Sequence, residues 1–391
     1  MKILHVGQMI GGLDVYIRNT TVYNKADNEY VIVCGKEDKH EPVIRHGKAV
    51  KEYHIDLYRS LNPKNDLKAL RQTVKIIKEE KPDLIHCHSA KGGAIGRTAG
   101  WLTGVPTCYT PHAFSYLCTP SKLKSSIYKA IERLTKFHTY VLACGESEQA
   151  MAVQVIGYQP SHSLVWHNAV PDASLEHGKT VEFSEPYACY IGRPSYQKNI
   201  LFMLDALKVV KDKGCLMKFI LLGVGYHSPE LEAVKEKIHT LGLEDTIELE
   251  PWISHADCQE YVRKSLFYVS TALYEGLPLA VIEAMANGKA IIASDVVGNR
   301  DCVKNNENGF LLSMNKEAFA EKMVLLYESQ DKREQMGRKS RELFLEEFYI
   351  DNRISLLQKT YELVATTRRG GVINKTVLIS IAAPIEERRA A

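Results

Sequence analysis

Glu275 and Glu283 stand eight positions apart in YEGLPLAVIEA (residues 274–284), on either side of an apolar Leu-Pro-Leu-Ala-Val-Ile run. Gly276 permits a tight turn. Pro278 suits the first turn of a helix, where its missing N–H costs nothing. The spacing predicts a helix from about Pro278 to Asn287, stopped by Gly288. Its unpaired amides at Leu279, Ala280 and Val281 would form a ready site for phosphate. Glu283 lies too deep to cap this helix but can accept from two neighbouring hydroxyls, whereas Glu275 lies in the preceding turn. The plainer alternative makes Glu275 a partner of the helix dipole and Glu283 a solvated helix residue. Spacing alone does not choose between them.

A second stretch, YIGRPSYQKNI (190–200), ends a strand at Ile191, turns on glycine and presents Arg193 and Lys198 before the next helix. Two fixed cations beside a helix N-terminus can hold a diphosphate and stabilise it as a leaving group without metal. They could also be ordinary surface charges. GGLDVYIRN (11–19) places Gly11 and Gly12 after the first strand, where backbone can approach a ligand closely. YTPHAFSY (109–116) sets His112 just past a strand end, as a candidate imidazole or a structural one. LLGVGYHSPELEAV (221–234) carries Gly-x-Gly without the third glycine and supports a dinucleotide site only weakly. HCH (86–88) suggests zinc, but no second ligand pair is visible, so no metal is expected.

These residues need a scaffold, and 391 residues imply two domains. Strand-like runs at 2–7, 30–35, 83–88, 106–111 and 139–145 alternate with helical periods such as 66–80. After a Pro-, Asn- and Gly-containing pause at 166–186, the pattern resumes at 187–192, 218–225, 246–250, 266–270 and 290–294. Such alternation predicts α/β architecture, with two doubly wound, Rossmann-like domains facing across a cleft and ligands at the carboxyl ends of the strands. The expected boundaries are 1–172 for the first domain and 173–346 for the second. A helix at 347–365 would pack back on the first domain, followed by a tail at 366–391 of no assigned role.

Composition excludes several classes. With 50 basic and 47 acidic residues, the net charge of +3 gives no reason to expect a nucleic-acid partner. The nine cysteines are scattered, never as C-x-x-C, and read as reduced side chains of a cytoplasmic protein. No stretch approaches the roughly 18 apolar residues of a membrane span. SKLKSSIYKAIERLTKF (121–137) does place Leu123, Ile127, Ile131 and Leu134 on one face, flanked by Lys122, Lys129, Arg133 and Lys136. That helix could rest on anionic lipid, giving peripheral contact with the inner face of the cytoplasmic membrane. It could equally be an ordinary covering helix with a solvated basic edge.

Together, GRPSYQK and EGLPLAVIE resemble the diphosphate clamp and the E-x7-E motif of the retaining glycosyltransferases of family 4, which have the GT-B fold. The likeness runs from about residue 1 to 365. It implies that Glu275 lies by the donor sugar and that Glu283 binds the ribose. It likewise implies that backbone at Leu279 and Ala280, with Arg193, Lys198 and Gly12, holds the diphosphate. ELEPWIS (248–254) is similar to the segment that packs on the base, implicating Trp252 and Ile253. His112 matches the histidine near the donor sugar. HSAKGGAIGRTAG followed by YTPHAF resembles members that assemble bacterial exopolysaccharide, capsule or O-antigen units. The resemblance therefore implies metal-independent, retaining transfer from a nucleoside diphosphate sugar, by resemblance a UDP-sugar, to a glycan or lipid-linked acceptor. The alternatives are a nucleotide-sugar epimerase of the same fold and a non-catalytic nucleotide-sugar-binding subunit.

Overall fold

The computed structural model describes residues 1–179, 185–225 and 228–367. The expected tail lies almost wholly outside the described residues, as do part of the interdomain pause and Tyr226–His227. The chain divides into two compact units. One is built from Met1–Ala169 and the helix Ile350–Thr366, the other from Val170–Tyr349.

The first unit centres on a parallel sheet of β1 (Lys2–Val6), β2 (Glu29–Gly35), β5 (Lys51–Ile55), β6 (Leu84–His88), β7 (Thr107–Thr110), β8 (Tyr140–Ala143) and β9 (Ser163–Val165). Its order is β5-β2-β1-β6-β7-β8-β9. Between β2 and β5 the chain forms a small antiparallel hairpin, β3 (Ile44–Arg45) and β4 (Lys48–Ala49). Strands β1, β2, β6, β7 and β8 are buried almost throughout, because helices cover both faces of the sheet. On one face, α2 (Pro63–Glu80) and α3 (Ser89–Thr103) pack over Leu4, Val6, Ile85 and Cys87. In α3, a Cβ on Gly93 would lie 2.3 Å from the Tyr109 ring, so glycine there sets how closely the helix approaches the sheet. On the other face, Ile350, Ile354, Leu357, Tyr361 and Val364 of Ile350–Thr366 join one core with Ile3, Tyr16, Ile32 and Trp166. The chain thus leaves this unit at Ala169 and returns to complete its core.

The second unit has β10 (Tyr187–Ile191), β11 (Lys218–Val224), β12 (Ile247–Pro251), β13 (Tyr268–Ser270), β14 (Ile291–Ser294) and β15 (Gly309–Leu312). They lie in the parallel order β12-β11-β10-β13-β14-β15. Numbered within their own units, the first sheet runs 3-2-1-4-5-6-7 and the second 3-2-1-4-5-6, so both contain the doubly wound order of dinucleotide-binding folds. In each, successive connections move outward in opposite directions from the first strand. The crevice between strands one and four is the natural ligand position: beyond β1 and β6 in the first unit, and beyond β10 and β13 in the second.

The basic segment 121–137 contains α4 (Lys122–Leu134), capped by the Ser121 hydroxyl. Glu132 is buried and holds the fully buried Arg97 at 2.8 Å, while Tyr109 Oη donates to the other carboxylate oxygen at 2.8 Å. That contact fixes the inward side of α4. Leu123, Ile127 and Leu134 on the outward side are 72%, 46% and 75% exposed, whereas Ile131 is half-buried. Among the described residues, no helix is long and apolar enough to cross a membrane.

Candidate active site

In the second unit, the chain leaves β10 through Gly192, and half-buried Arg193 follows directly. Lys198 lies on the turn before α6 (Ile200–Asp212), where its carbonyl and that of Asn199 are held by the Thr271 hydroxyl at 3.1 and 3.2 Å. Thr271 follows β13, so one side chain ties together the two strand ends that flank the crevice. Lys198 Nζ meets Glu275 Oε1 at 2.6 Å, and Gln197 Nε2 donates to Glu275 Oε2 at 3.1 Å. The motifs at 190–200 and 274–284 thus converge on one ion pair, with its carboxylate buried.

Backbone geometry seats Glu275 as firmly as its side-chain partners do. Its amide donates to Val297 O at 3.2 Å, and Gly298 beside it has φ +84°. A Cβ on Gly298 would lie 2.7 Å from Gly276 O and 2.9 Å from Glu275 Cβ. Any larger residue would push the glutamate turn away.

The predicted helix is α9, Leu279–Ala286, with Pro278 at the cap position instead of inside the first turn. Val281 and Ile282 both donate to Pro278 O at 3.1 Å. The expectation of three free amides is corrected accordingly. The Pro278 carbonyl takes the Val281 amide, and Leu279 and Ala280 remain without a recorded acceptor among the described residues. These two are also the half-buried residues of a helix otherwise buried from Val281 to Ala286.

Glu283 is buried, which removes its reading as a solvated helix residue. It accepts from His255 Nε2 and Gln259 Nε2, each at 3.1 Å. His255 and Gln259 lie one turn apart on α8 (His255–Lys264), whose N-cap is Ser254. Glu176 Oε2 lies 2.8 Å from His255 Nδ1. The hydrogen bond that His255 donates to Glu283, followed by the charge of Glu283 and the contact with Glu176, pushes the His255 pKa up to about 9, so the ring is an imidazolium at neutral pH. Each Glu283 oxygen already has one donor, yet a carboxylate offers about four lone-pair positions. Trp252 and Ile253 sit between β12 and α8, with the indole 69% exposed. His255 and Gln259 were not legible in sequence, although an i,i+4 His/Gln pair just after Trp252–Ile253 was the available signal.

In the first unit, Gly11 at φ +60° caps α1 (Gly12–Val22), and both glycines are exposed beyond β1. His112 is half-buried with φ +52°, and its ring nitrogens face His88 Nδ1 at 3.2 Å and Cys144 Sγ at 3.6 Å. His88 in turn meets His5 Nδ1 at 2.9 Å, while His86 is held by Tyr361 Oη and Thr110 Oγ1, both at 2.8 Å. His5, His86 and His88 share one face of neighbouring strands β1 and β6, where His5 and His86 are in register. Burial pushes His5 and His112 down to about 3 and the other two well below their usual range, so all four rings are neutral. The tautomer of each ring in the His5–His88–His112 chain is fixed by the next. Buried Glu148 holds the turn, accepting from the amides of Ala113 at 2.7 Å and Cys144 at 2.8 Å. The HCH stretch therefore has a third histidine beside it; hydrogen bonds take both ring nitrogens of His86 and of His88, while His5 Nε2 is buried without a partner.

Residues 10–174 match the model of Glycosyltransferase Family 4. Residues 175–343 match that of Glycosyl transferases group 1. Among curated proteins, the UDP-Gal:alpha-D-GlcNAc-diphosphoundecaprenol alpha-1,3-galactosyltransferase of Escherichia coli is 29% identical over 274 residues, spanning 66% of this chain and 70% of that one. The capsular polysaccharide biosynthesis glycosyltransferase CapM of Staphylococcus aureus is 25% identical over 317 residues, spanning 75% and 82%. Sucrose-phosphate synthase from Thermosynechococcus elongatus superimposes with TM-score 0.79 at 16% identity, over 93% of this chain and 98% of that one. Anabaena HepE, solved with UDP and glucose, gives 0.75 at 16% identity, over 93% and 99%. These structural likenesses establish the GT-B fold. With one family match running directly into the next across residues 10–343, the chain belongs to the family 4 type glycosyltransferases.

Proposed function

We propose that the chain transfers a sugar from a nucleoside diphosphate donor, a UDP-sugar, to a hydroxyl of a glycan or lipid-linked saccharide during assembly of bacterial cell-surface polysaccharide, with retention at the anomeric carbon. One observation carries this reading: Lys198 pairs with Glu275 at the β10–β13 crevice, next to Arg193 and just before the half-buried start of α9. Diphosphate oxygens would accept from the Leu279 and Ala280 amides and draw on the Arg193 and Lys198 charges. These groups stabilise the charge that builds on the leaving diphosphate as the glycosidic bond breaks. Lys198 then exchanges part of its contact with Glu275 for phosphate, releasing that carboxylate toward the sugar. Glu283 accepts from the ribose hydroxyls, and Trp252 offers an apolar face to the base. The sugar-positioning role for His112 requires its Nδ1 to exchange Cys144 Sγ for a sugar hydroxyl.

The names of the relatives support the acceptor class, since one is a transferase to a diphosphoundecaprenol-linked sugar and another serves capsule synthesis. The outward side of α4 supports delivery at a membrane: exposed Leu123, Ile127 and Leu134 lie among Lys122, Lys124 and Arg133, a pairing that suits anionic lipid. The transfer chemistry needs no metal in this reading. Turnover abolished by EDTA and restored by Mg2+ or Mn2+ would overturn that part.

The deciding experiment is thermal stabilisation against UDP, GDP, ADP and their sugar conjugates, with an Arg193→Ala, Lys198→Ala double variant alongside. A ligand at 100 times its Kd adds about 2.7 kcal/mol, a rise of roughly 5 to 10 °C for a unit of this size. A shift selective for uridine nucleotides and lost in the double variant is expected. No shift with any nucleotide would sink the donor site.

A further inference from the structure

A second cluster of ligating side chains lies at the opposite edge of the first sheet. Cys34 on β2 is in direct register with His54 on edge strand β5, and Cys34 Sγ lies 3.4 Å from His54 Nδ1. Glu52, two residues before His54 on the same face, accepts from the Val43 amide through Oε1 at 3.4 Å. That contact leaves Glu52 Oε2 facing His54 Nε2 at 3.8 Å and His40 Nε2 at 3.7 Å, both too long for hydrogen bonds. One ligand atom from each of Cys34, Glu52 and His54 lies within 4.8 Å of the others.

His40 adds an independent sign. Its side chain is only 2% exposed, and Nε2 has no hydrogen-bond partner. Its Nδ1 lies 3.0 Å from Glu41 O, a pure acceptor, so the proton belongs on Nδ1 and the lone pair on Nε2. A buried imidazole thus points a bare lone pair toward a carboxylate that offers no proton. A metal cation between them would satisfy both groups.

We propose that Cys34, His40, Glu52 and His54 form a tetrahedral site for a zinc-class divalent ion. The donor set of one thiolate, two imidazoles and one carboxylate is the borderline-soft mixture such ions select. Metal–ligand bonds of about 2.0 to 2.3 Å in a tetrahedron separate ligand atoms by about 3.3 to 3.6 Å. Two of the six separations, 3.4 Å from Cys34 Sγ to His54 Nδ1 and 3.7 Å from His40 Nε2 to Glu52 Oε2, lie close to those edges; Cys34, Glu52 and His54 lie within 4.8 Å of one another and would draw in by up to about 1 Å, with His40 following Glu52. On binding, the Cys34 thiol loses its proton to solvent, and the two anionic ligands balance the ion's charge. Burial, with the carboxylates of Asp38 and Glu52, pushes that thiol up to about 12 in the metal-free protein, an electrostatic setting that a cation reverses. Half-exposed His54 gives the ion a way in.

Four protein ligands close the shell, so the site is structural and stands apart from the transfer chemistry. The ion would pin the loop carrying His40 to an edge strand. That loop also holds Asp38, whose Oδ2 accepts from the amides of Gly35 and Met9, both at 2.8 Å. Order would thereby extend to the segment leading into Gly11 and Gly12.

The test uses the full chain, reduced and stripped by chelator dialysis, then titrated with Co2+ and followed by absorbance. One equivalent should produce a thiolate-to-cobalt charge-transfer band with tetrahedral ligand-field bands, which Zn2+ displaces. Cys34→Ser should remove the charge-transfer band. His40→Ala and His54→Ala each remove a direct ligand and should weaken Zn2+ binding by more than the roughly 10- to 100-fold that loss of an outer-shell partner costs, and so cut the gain in Tm that Zn2+ gives the parent. Those two variants carry the test if Cys34→Ser fails to fold. No thiolate band at one equivalent overturns the proposal. So does a band unchanged in Cys34→Ser, or in both histidine variants.

Discussion

The two units share the strand order 3-2-1-4-5-6, to which the first adds a seventh strand, and hold contrasting electrostatics at the same topological position. On one face of β1 and β6 the first unit gathers three buried neutral histidines, His5, His86 and His88, and the hydrogen-bond chain His5–His88–His112 leads out from them to the half-buried ring beyond β7. Beyond β10 and β13 the second unit gathers full charges: Lys198 on Glu275, and an imidazolium at His255 between Glu176 and Glu283. Topology supplies the crevice, and the residues at its rim decide what enters. A neutral ring such as His112 at the rim suits hydroxyl groups, which exchange hydrogen bonds without a change of charge. A rim of paired charges beside helix amides suits a diphosphate, whose negative charge can replace the internal carboxylate as partner to Lys198.

This contrast breaks most sharply at Glu275. Glu275→Gln should keep the fold, because glutamine retains the size and one acceptor, yet lower kcat by about 100-fold or more. A loss confined to KM would move the residue from the reacting centre to simple binding. In the first unit the comparable blow falls on stability. Glu148→Ala strands two buried amides, at Ala113 and Cys144, and should cost about 2 to 4 kcal/mol, a fall of roughly 5 to 15 °C in Tm. A Tm within 1 °C of the parent would show that Glu148 does not hold the His112 turn. Glu283→Gln should act more mildly, raising KM for the donor about 10-fold, or about 1.4 kcal/mol, with kcat little changed. Equal losses in both parameters at Glu275 and Glu283 would erase the division between them.

How much of this was legible follows from where each contact sits along the chain. The central strands announced themselves because helices cover both faces and demand near-continuous apolar runs. Strand β5 (KEYHI) did not, since an edge strand that is largely exposed or half-buried carries Lys, Glu and His without penalty. Arg193, Lys198, Glu275 and the α9 start were readable from turn and helix chemistry within short windows. Their mutual contact was not, because Lys198 and Glu275 lie 77 positions apart and only parallel pairing of β10 with β13 brings them together. The same holds for the histidine chain, where period-2 alternation puts His86 and His88 on one face but only the β1–β6 register adds His5. Pro278 shows the limit at finer scale. Composition locates the helix start, while the direction of one carbonyl decides whether two or three amides are left over.

The smallest effect tests the charged rim through pH. His255 has its folded pKa raised to about 9 by Glu283 and Glu176, against about 6.5 for the unfolded chain. A raised pKa means that the folded state binds the proton more tightly. The resulting stabilisation is complete below about pH 6.5, declines as pH rises further, and is gone above about 9. Because the ring is 49% exposed, solvent screening holds the contribution to about 1 kcal/mol or less. His255→Gln retains an amide donor but cannot titrate. The parent should therefore exceed this variant by a few degrees in Tm at pH 6, with the gap closing steadily toward pH 9. The neutral first unit predicts the contrary for His88→Gln: the folded ring stays uncharged while the unfolded ring protonates near pH 6.5, so the parent gains on this variant as pH rises from 6 and the gap is level above about pH 7.5. A level gap for His255→Gln, or a closing one for His88→Gln, would remove the electrostatic distinction between the two crevices and leave their different residues as packing alone.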